Sequence, residues 1–185
     1  MLIIDNYDSF TYNIVQYVKI LGINPIVINN DEMTLEEVKK LNFSKIILSP
    51  GWGNPDNSGI SMEVIDYYKD LKPIFGICLG MQCIAKYFGA KIVKANEPFH
   101  GKNSKIYFNE DFELFKGLKQ GFNATRYHSL MISEPTQEVK ILAKTSDNIP
   151  MALKIKDKQI YGVQFHPEAI LTENGIDIIK NFINL

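Results

Sequence analysis

The chain has 185 residues, a hydrophobic content of 45% and a formal net charge of −1 at pH 7. This composition excludes a disordered, collagen-like or coiled-coil chain, and the length predicts one domain over residues 1–185. Basic and acidic residues are balanced, at 20 and 21, and Arg126 is the only arginine. We therefore expect this chain to bind neither nucleic acid nor a membrane surface.

The sequence contains no apolar run near the roughly 20 residues that a membrane span requires. Its N-terminus has no basic segment before the first acidic residue, Asp5, and so does not resemble a signal peptide. We expect a cytoplasmic, reducing location in which Cys78 and Cys83 are free thiols.

Apolar and amphipathic segments alternate through the first half of the chain. The apolar runs predict four strands, at residues 2–4, 25–28, 45–48 and 73–77. Helical spacing predicts four helices between and after them, at residues 10–21, 34–41, 60–71 and 79–88. Thr34 and Glu37 have the spacing of a capping box. This order predicts an α/β fold with a mostly parallel central sheet flanked by helices.

The second half of the chain has a different pattern. Further strands are predicted at residues 91–93, 104–108, 139–144, 151–155 and 159–164. Asp157 and Lys158 predict a tight turn between the last two strands, and a helix over residues 175–182 ends the chain. We therefore expect additional antiparallel strands in the C-terminal half of the fold.

Cys78 lies where a buried strand meets a helix, with Gly76 and Gly80 two residues to either side. This is a Cys version of the nucleophile elbow, in which a sharp turn lifts the nucleophile clear of the sheet. The helix N-terminus favours a thiolate, and the N–H of Leu79 is the natural donor to an oxyanion. The alternative is a buried Cys that packs as a small hydrophobic residue, which is how we interpret Cys83.

His166 and Glu168 follow a predicted strand in the segment His166-Pro167-Glu168. Pro167 disfavours the α conformation at His166, and side chains two apart in an extended chain point the same way. The carboxylate can therefore orient the imidazole as the base for Cys78. The alternative is a surface His in a turn beside an exposed Glu.

A second oxyanion donor is expected from a glycine-bearing segment after a neighbouring strand. Gly51, in Ser49-Pro50-Gly51-Trp52-Gly53, follows the third predicted strand and permits a close approach of backbone to ligand. We assign the N–H of Gly51 this role. The alternative is an ordinary surface loop.

These motifs together resemble those of the class I (triad) glutamine amidotransferases. The opening segment at residues 5–13 and the segments at 126–130 and 171–175 narrow the resemblance to the glutaminase subunits of anthranilate synthase and para-aminobenzoate synthase. The match runs from end to end of the chain. Trp52 departs from the family's usual Ser-Pro-Gly-Pro-Gly loop, and Ala169 replaces a common Ser.

The resemblance implies a role for each matching residue. Cys78 would be the nucleophile, His166 the base and acid, and Glu168 the carboxylate that orients it. The residues that would hold L-glutamine are Gly51, Trp52, Gly53, Gln82, Ser129 and Leu130. The residues alone leave open that Gln82 is solvated, that Ser129 caps a turn and that Trp52 contacts a partner. His128 is interpreted as structural or interfacial, and His100 as either synthase-facing or part of a polar turn.

The resemblance also implies a reaction and a partner. The chain would hydrolyse L-glutamine and deliver ammonia to a chorismate-using synthase subunit, forming anthranilate or 4-amino-4-deoxychorismate. It would need no cofactor or metal, and Mg²⁺ is expected only on the synthase partner. Two alternatives remain: another cysteine hydrolase acting on γ-glutamyl amides, and a non-catalytic interaction subunit.

Overall fold

The computed structural model describes all residues, 1–185. It contains eleven strands: β1 Leu2–Asn6, β2 Ile26–Asn29, β3 Ile46–Gly51, β4 Ile74–Ile77, β5 Lys91–Lys94, β6 Lys102–Phe108, β7 Phe122–Arg126, β8 Leu130–Ser133, β9 Val139–Lys144, β10 Pro150–Ile155 and β11 Ile160–Val163. It contains five α-helices: α1 Thr11–Ile20, α2 Leu35–Val38, α3 Ser61–Tyr68, α4 Leu79–Tyr87 and α5 Gly175–Asn184. None of these helices is both long and apolar enough to cross a membrane.

Nine of the strands form one sheet in the order β2-β1-β3-β4-β11-β10-β9-β6-β7, while β5 and β8 form a separate pair. The pairs from β2 to β11 are parallel, and those from β11 to β7 are antiparallel. The predicted α/β architecture with additional antiparallel strands is therefore confirmed. β11 joins the two regions, because it pairs parallel with β4 and antiparallel with β10.

Two apolar clusters of 23 buried residues each cover the two faces of the sheet. Alternation along β1 sends Leu2 and Ile4 into one cluster and Ile3 into the other, as the period of a buried strand requires. Helices α3 and α4 pack in the first cluster, and α1 and α5 pack in the second. Both faces are covered, so only the ends of the parallel strands are open to a ligand.

The four helices of the first half end earlier than the hydrophobic periodicity predicts, whereas α5 continues two residues beyond its predicted end. The helix expected over residues 34–41 is α-helical only in α2, because the bonds Lys40 N–H to Glu37 O and Leu41 N–H to Val38 O span three residues rather than four. Its predicted capping box between Thr34 and Glu37 is present. The predicted turn also forms, since the N–H of Lys158 donates to the carbonyl of Ile155.

Two strands, β7 and β8, were not predicted from the sequence. β7 is an edge strand that includes Asn123 and the charged Arg126, so its apolar content is low. β8 has four residues and pairs only with the short β5. Both strands are specified by pairing with distant strands rather than by local pattern, and the residues between them border the candidate site.

Candidate active site

Cys78 occupies the turn between β4 and α4 in a strained conformation, with φ 52° and ψ −103°. Such a conformation costs an L-residue about 1–3 kcal/mol and persists only where the surroundings enforce it. Here the N–H of Cys78 donates to the carbonyl of Val163 in β11 at 2.8 Å, and the carbonyl of Cys78 accepts from Gln82 N–H in the first turn of α4. The nucleophile-elbow geometry predicted for Cys78 is therefore present.

Gly76 and Gly80 allow this turn because neither position has room for a side chain. A Cβ on Gly76 would lie 2.4 Å from the carbonyl carbon of Gly80, and a Cβ on Gly80 would lie 2.3 Å from the carbonyl oxygen of Leu48. Both contacts are with backbone and cannot be relieved by a rotamer change. The glycines thus bring the start of α4 against the ends of β3 and β4.

His166 and Glu168 follow β11 and reach the elbow from the neighbouring strand. His166 Nδ1 lies 2.6 Å from Glu168 Oε1, and both side chains are buried. The backbone of His166 is held by bonds from its N–H to Thr125 O and from Thr172 Oγ1 to its carbonyl. The surface-turn alternative is therefore wrong for this pair.

The electrostatic environment of His166 favours its cationic form. Burial by itself would lower the pKa of His166, but the negative charges of Glu168 and of a Cys78 thiolate outweigh it and raise the pKa well above its ordinary value. The buried Nε2 of His166 has no hydrogen-bond partner. This nitrogen is therefore the one left to exchange a proton with the sulfur.

Gly51 is the last residue of β3 and lies against both the elbow and β1. A Cβ at this position would lie 2.5 Å from Asn6 Cβ and 2.9 Å from Leu79 Cδ2. Asn6 fixes this end of β3 by donating two hydrogen bonds, from its N–H to Ser49 Oγ and from its Nδ2 to Ser49 O. The two predicted oxyanion donors, Gly51 and Leu79, are thus brought next to each other.

A cavity of about 240 Å³ opens beside the Cys78 sulfur. It is lined by every residue predicted for catalysis or glutamine binding except Glu168, which lies behind His166: Gly51, Trp52, Gly53, Cys78, Leu79, Gln82, Ser129, Leu130 and His166. His100 lines the same cavity and is exposed. The volume suits a small ligand such as a single amino acid.

The predicted binding residues differ in their environments. Gln82 is buried, so the solvated alternative is wrong, and its Nε2 donates to Leu130 O at 3.2 Å and to Gln164 Oε1 at 3.0 Å. The side chain of Ser129 is exposed. Trp52 is 80% exposed at the rim, which leaves an indole surface available for contact with another molecule.

Two residues at the site were not identified from the sequence. Asp8 lines the cavity, and its carboxylate lies within 4.8 Å of the side chains of His166 and Glu168. Gln164 is fully buried, and its Nε2 lies 3.6 Å from Cys78 Sγ. The signal for Gln164 was its place two residues before His166, directly after an apolar strand, where a buried amide needs a partner.

Asp8, His166 and Glu168 are also the one group of side chains whose possible metal-ligating atoms lie close together. His166 Nδ1 is already occupied by Glu168. A cation on the remaining nitrogen, Nε2, would compete with Cys78 for it. The donor set therefore fits acid–base chemistry at the sulfur better than a resident metal.

His128 is structural rather than a competing base. It is buried, its ring stacks on Phe99, its Nε2 accepts from Arg126 Nε at 3.0 Å, and its Nδ1 lies 2.8 Å from Leu130 O. Burial, followed by the charge of Arg126, lowers the pKa of His128 to about 4. His128 is therefore neutral at physiological pH.

This depressed pKa predicts an acid-dependent loss of stability. The unfolded chain protonates His128 near pH 6.5 and the folded chain only near pH 4, so acid favours unfolding between these values. We expect His128 to contribute stability that is complete above about pH 6.5 and falls by up to about 3 kcal/mol on acidification to about pH 4. Chemical denaturation of wild type and His128→Asn over this range measures it. The prediction is contradicted if both proteins lose the same free energy of unfolding.

The sequence matches one protein family over nearly its whole length. The sequence model of the family described as glutamine amidotransferase class-I matches residues 2–185. The chain belongs to this family. The matched residues run from β1 to the end of α5, so both the parallel and the antiparallel regions of the sheet are part of the family's domain.

Similar proteins come from several lineages. The chain is 49% identical to anthranilate synthase component 2 of Cyanophora paradoxa, covering 100% of this chain and 98% of the relative. It is 46% identical to anthranilate synthase component 2 of Saccharolobus solfataricus, covering 99% and 97%. A crystal structure described as a GMP synthase subunit from Thermoplasma acidophilum aligns with a TM-score of 0.87 at 28% identity, covering 99% of this chain and 91% of that one.

Proposed function

We propose that this amidotransferase hydrolyses L-glutamine through Cys78, His166 and Glu168 and transfers the ammonia to a chorismate-using synthase subunit. The observation that carries the proposal is the placement of Cys78, on a strained elbow, beside the buried His166–Glu168 pair at one cavity. A strained nucleophile next to an oriented base is the arrangement that acyl transfer requires.

The first half-reaction forms a covalent intermediate. His166 Nε2 accepts the proton of the Cys78 thiol, and the thiolate attacks the side-chain amide carbon of glutamine. The N–H groups of Gly51 and Leu79 stabilise the oxyanion, an effect of about 3 kcal/mol for each donor. The His166 imidazolium then protonates the departing nitrogen, so that ammonia leaves and a γ-glutamyl thioester remains.

The second half-reaction regenerates the enzyme. His166, again neutral, takes a proton from water as the oxygen attacks the thioester carbonyl. Collapse of this second tetrahedral intermediate expels the thiolate and releases glutamate. Glu168 keeps the Nδ1 proton in place and stabilises the imidazolium through both halves, because its carboxylate lies 2.6 Å from Nδ1.

The amino-acid end of glutamine would be held at the opposite wall of the cavity. Both hydrogens of Gln82 Nε2 are used, on Leu130 O and Gln164 Oε1, so the amide oxygen is the group left to meet a ligand. That oxygen can accept a hydrogen bond from the α-ammonium group. Backbone groups of Ser129 and Leu130 and the segment Gly51, Trp52 and Gly53 border the remaining space.

Ammonia is useful only if it reaches an acceptor before it is protonated by water, and the acceptor site is proposed to lie on a partner subunit. Several relatives named anthranilate synthase component 2 support anthranilate formation as the first candidate. Formation of 4-amino-4-deoxychorismate is the second candidate and rests on the sequence resemblance alone. We propose no cofactor or metal in this chain and Mg²⁺ on the synthase partner.

Exposed apolar side chains near the cavity mouth support docking of that partner. Trp52 and Tyr127 line the cavity, and Ile170 and Leu171, which follow the His166–Glu168 segment after the buried Ala169, are 94% and 60% exposed. Exposed apolar groups of this size clustered at a functional site are typical of an interaction surface.

The pathway is tested by product analysis with purified candidate synthase subunits, chorismate, Mg²⁺ and either glutamine or ammonia. We expect glutamine-dependent anthranilate formation that requires this chain, whereas ammonia-dependent formation does not require it. A partner that yields only 4-amino-4-deoxychorismate would establish the second pathway.

Each of the two alternative functions, another cysteine hydrolase or a non-catalytic interaction subunit, predicts a different experimental result. Release of glutamate from γ-glutamyl peptides in preference to glutamine would identify a different cysteine hydrolase. Stable binding to a synthase without glutamine hydrolysis would identify a non-catalytic interaction subunit.

A further inference from the structure

Gln164 is the one buried amide that contacts the sulfur of Cys78. It immediately follows β11, is fully buried, and places Nε2 3.6 Å from Cys78 Sγ while its Oε1 accepts from Gln82 Nε2 at 3.0 Å. Sulfur forms longer hydrogen bonds than oxygen does, so this distance fits an N–H donor on a thiol or thiolate.

The orientation of the Gln164 amide follows from the hydrogen bonds of its neighbours, starting from a group that can only accept. The carbonyl of Leu130 can only accept, so the atom of Gln82 that faces it is the NH₂ group. That same NH₂ group then donates its second hydrogen to Gln164, whose facing atom is therefore oxygen. The NH₂ group of Gln164 is left to point at the sulfur.

At the other end of this series of hydrogen bonds, Arg126 determines which nitrogen of His128 carries the proton. An arginine can only donate, so the His128 Nε2 that it contacts is unprotonated and the proton resides on Nδ1. Nδ1–H therefore donates to Leu130 O. Although burial lowers the pKa of Arg126 to about 10, its guanidinium remains charged at neutral pH, stacked 3.3 Å from the Phe99 ring centroid.

We propose that Gln164 is a catalytic residue that donates an N–H to the Cys78 thiolate, and that Arg126, His128, the Leu130 carbonyl and Gln82 form a hydrogen-bond relay that positions it. This inference rests on the proposed function in taking Cys78 as the nucleophile. A hydrogen bond to a charged acceptor is stronger than one to its neutral form, so Gln164 favours the thiolate over the thiol.

The relay links substrate binding to the nucleophile. Leu130 borders the space proposed for the amino-acid end of glutamine, and its carbonyl holds Gln82, which orients Gln164. A ligand that orders the Ser129–Leu130 backbone therefore also orders the donor at the sulfur. Binding of the amino-acid end of glutamine is thereby coupled to the hydrogen bond that Gln164 donates to the Cys78 thiolate.

Other groups near Cys78 also influence its thiolate, but substitution of Gln164 leaves them in place. These groups are the His166 side chain, the N-terminus of α4, and the carboxylates of Asp8 and Glu168 beside His166. His128 is neutral over the pH range of the test. A change in thiolate reactivity on substitution of Gln164 therefore reports the loss of its donor.

Alkylation by iodoacetamide measures the thiolate without requiring turnover. The rate constant at pH 6.5, divided by that at pH 9, reports how strongly the protein favours the thiolate, and Cys78→Ala supplies the background. Burial raises the pKa of Cys83 to about 12, so that thiol adds little. We expect Gln164→Met to lower this ratio about tenfold and Gln164→Glu to lower it further, because a carboxylate repels the thiolate.

Gln159→Met is the matched control, since Gln159 is exposed just before the opposite end of β11. It should leave the ratio of alkylation rate constants unchanged.

If Gln164→Met no longer unfolds cooperatively, Gln82→Met provides a second test of the relay. We expect it to lower the ratio about threefold, because Gln164 can then rotate away from the sulfur. An unchanged ratio in the folded variant overturns the proposal. A lowered ratio in a protein that releases no glutamate with any partner supports the relay and rejects the proposed function.

Discussion

We expect His166→Gln to lower the rate of glutamate release in the presence of the synthase partner by about 10³-fold. General acid–base catalysis contributes about 10²- to 10⁴-fold, and His166 is proposed to supply the proton transfers of both half-reactions. Glutamine at this position retains polar atoms but cannot carry a proton between sulfur, nitrogen and water. Steady-state kinetics, measured by glutamate formation, should show the loss in kcat rather than in KM.

Glu168→Gln should have a smaller effect than His166→Gln. The amide oxygen can still accept the Nδ1 proton, but the charge that stabilises the imidazolium is lost. Its activity should therefore lie between those of wild type and His166→Gln. Full activity in His166→Gln would show that another group acts as the base.

The second large effect is expected from Gly51→Ala. A methyl group at Gly51 would lie 2.5 Å from both Cβ and the carbonyl oxygen of Asn6, and 2.9 Å from Leu79 Cδ2, so the end of β3 must move away from the elbow. This displaces one of the two proposed oxyanion donors from the other. We expect kcat to fall by about 10²- to 10³-fold, with a loss of about 1–3 kcal/mol in the free energy of unfolding.

Gly117→Ala is the control that separates a loss of catalysis in Gly51→Ala from a loss of stability. Gly117 has a φ of +86° and open space around its Cβ position, and it lies outside the cavity beside Cys78. This variant should lose about 1–2 kcal/mol of stability because of its left-handed conformation, with unchanged turnover. Equal losses of activity in the two variants would mean that Gly51 acts through stability alone.

The parallel region of the fold was predictable because its signals are local. Buried strands β1, β3 and β4 each begin with apolar residues, and α4 begins where glycines and Cys78 mark a sharp turn. The return of β11 to pair with β4 was not predictable in this way. That pairing joins residues more than 80 positions apart, and a strand pattern does not specify its neighbour.

The same distinction applies to the site. Cys78, His166 and Glu168 stand in short motifs whose chemistry is evident from residue type and spacing. Gln164 and Asp8 were missed because their importance depends on which distant group each one meets. His128 could be set aside as a catalytic candidate, but its contacts with Arg126 and the Leu130 carbonyl required the folded arrangement.

The topology explains why the catalytic residues meet at all. The register pairs Val163 with Ile77, so the residues that follow these two strands emerge side by side at the same edge of the sheet. Cys78 follows one strand, and Gln164 and His166 follow the other. A parallel pair of strands thereby brings together the proposed nucleophile, donor and base from segments distant in sequence.

The central claim is that Cys78 is the nucleophile that releases ammonia from glutamine. The most direct test compares glutamate release from L-glutamine by wild type and Cys78→Ala, each with and without candidate synthase partners. We expect release by wild type that rises with one partner, and a loss of at least about 10³-fold in Cys78→Ala with that partner. Equal release by both proteins, or no release by folded wild type with any partner, would contradict it.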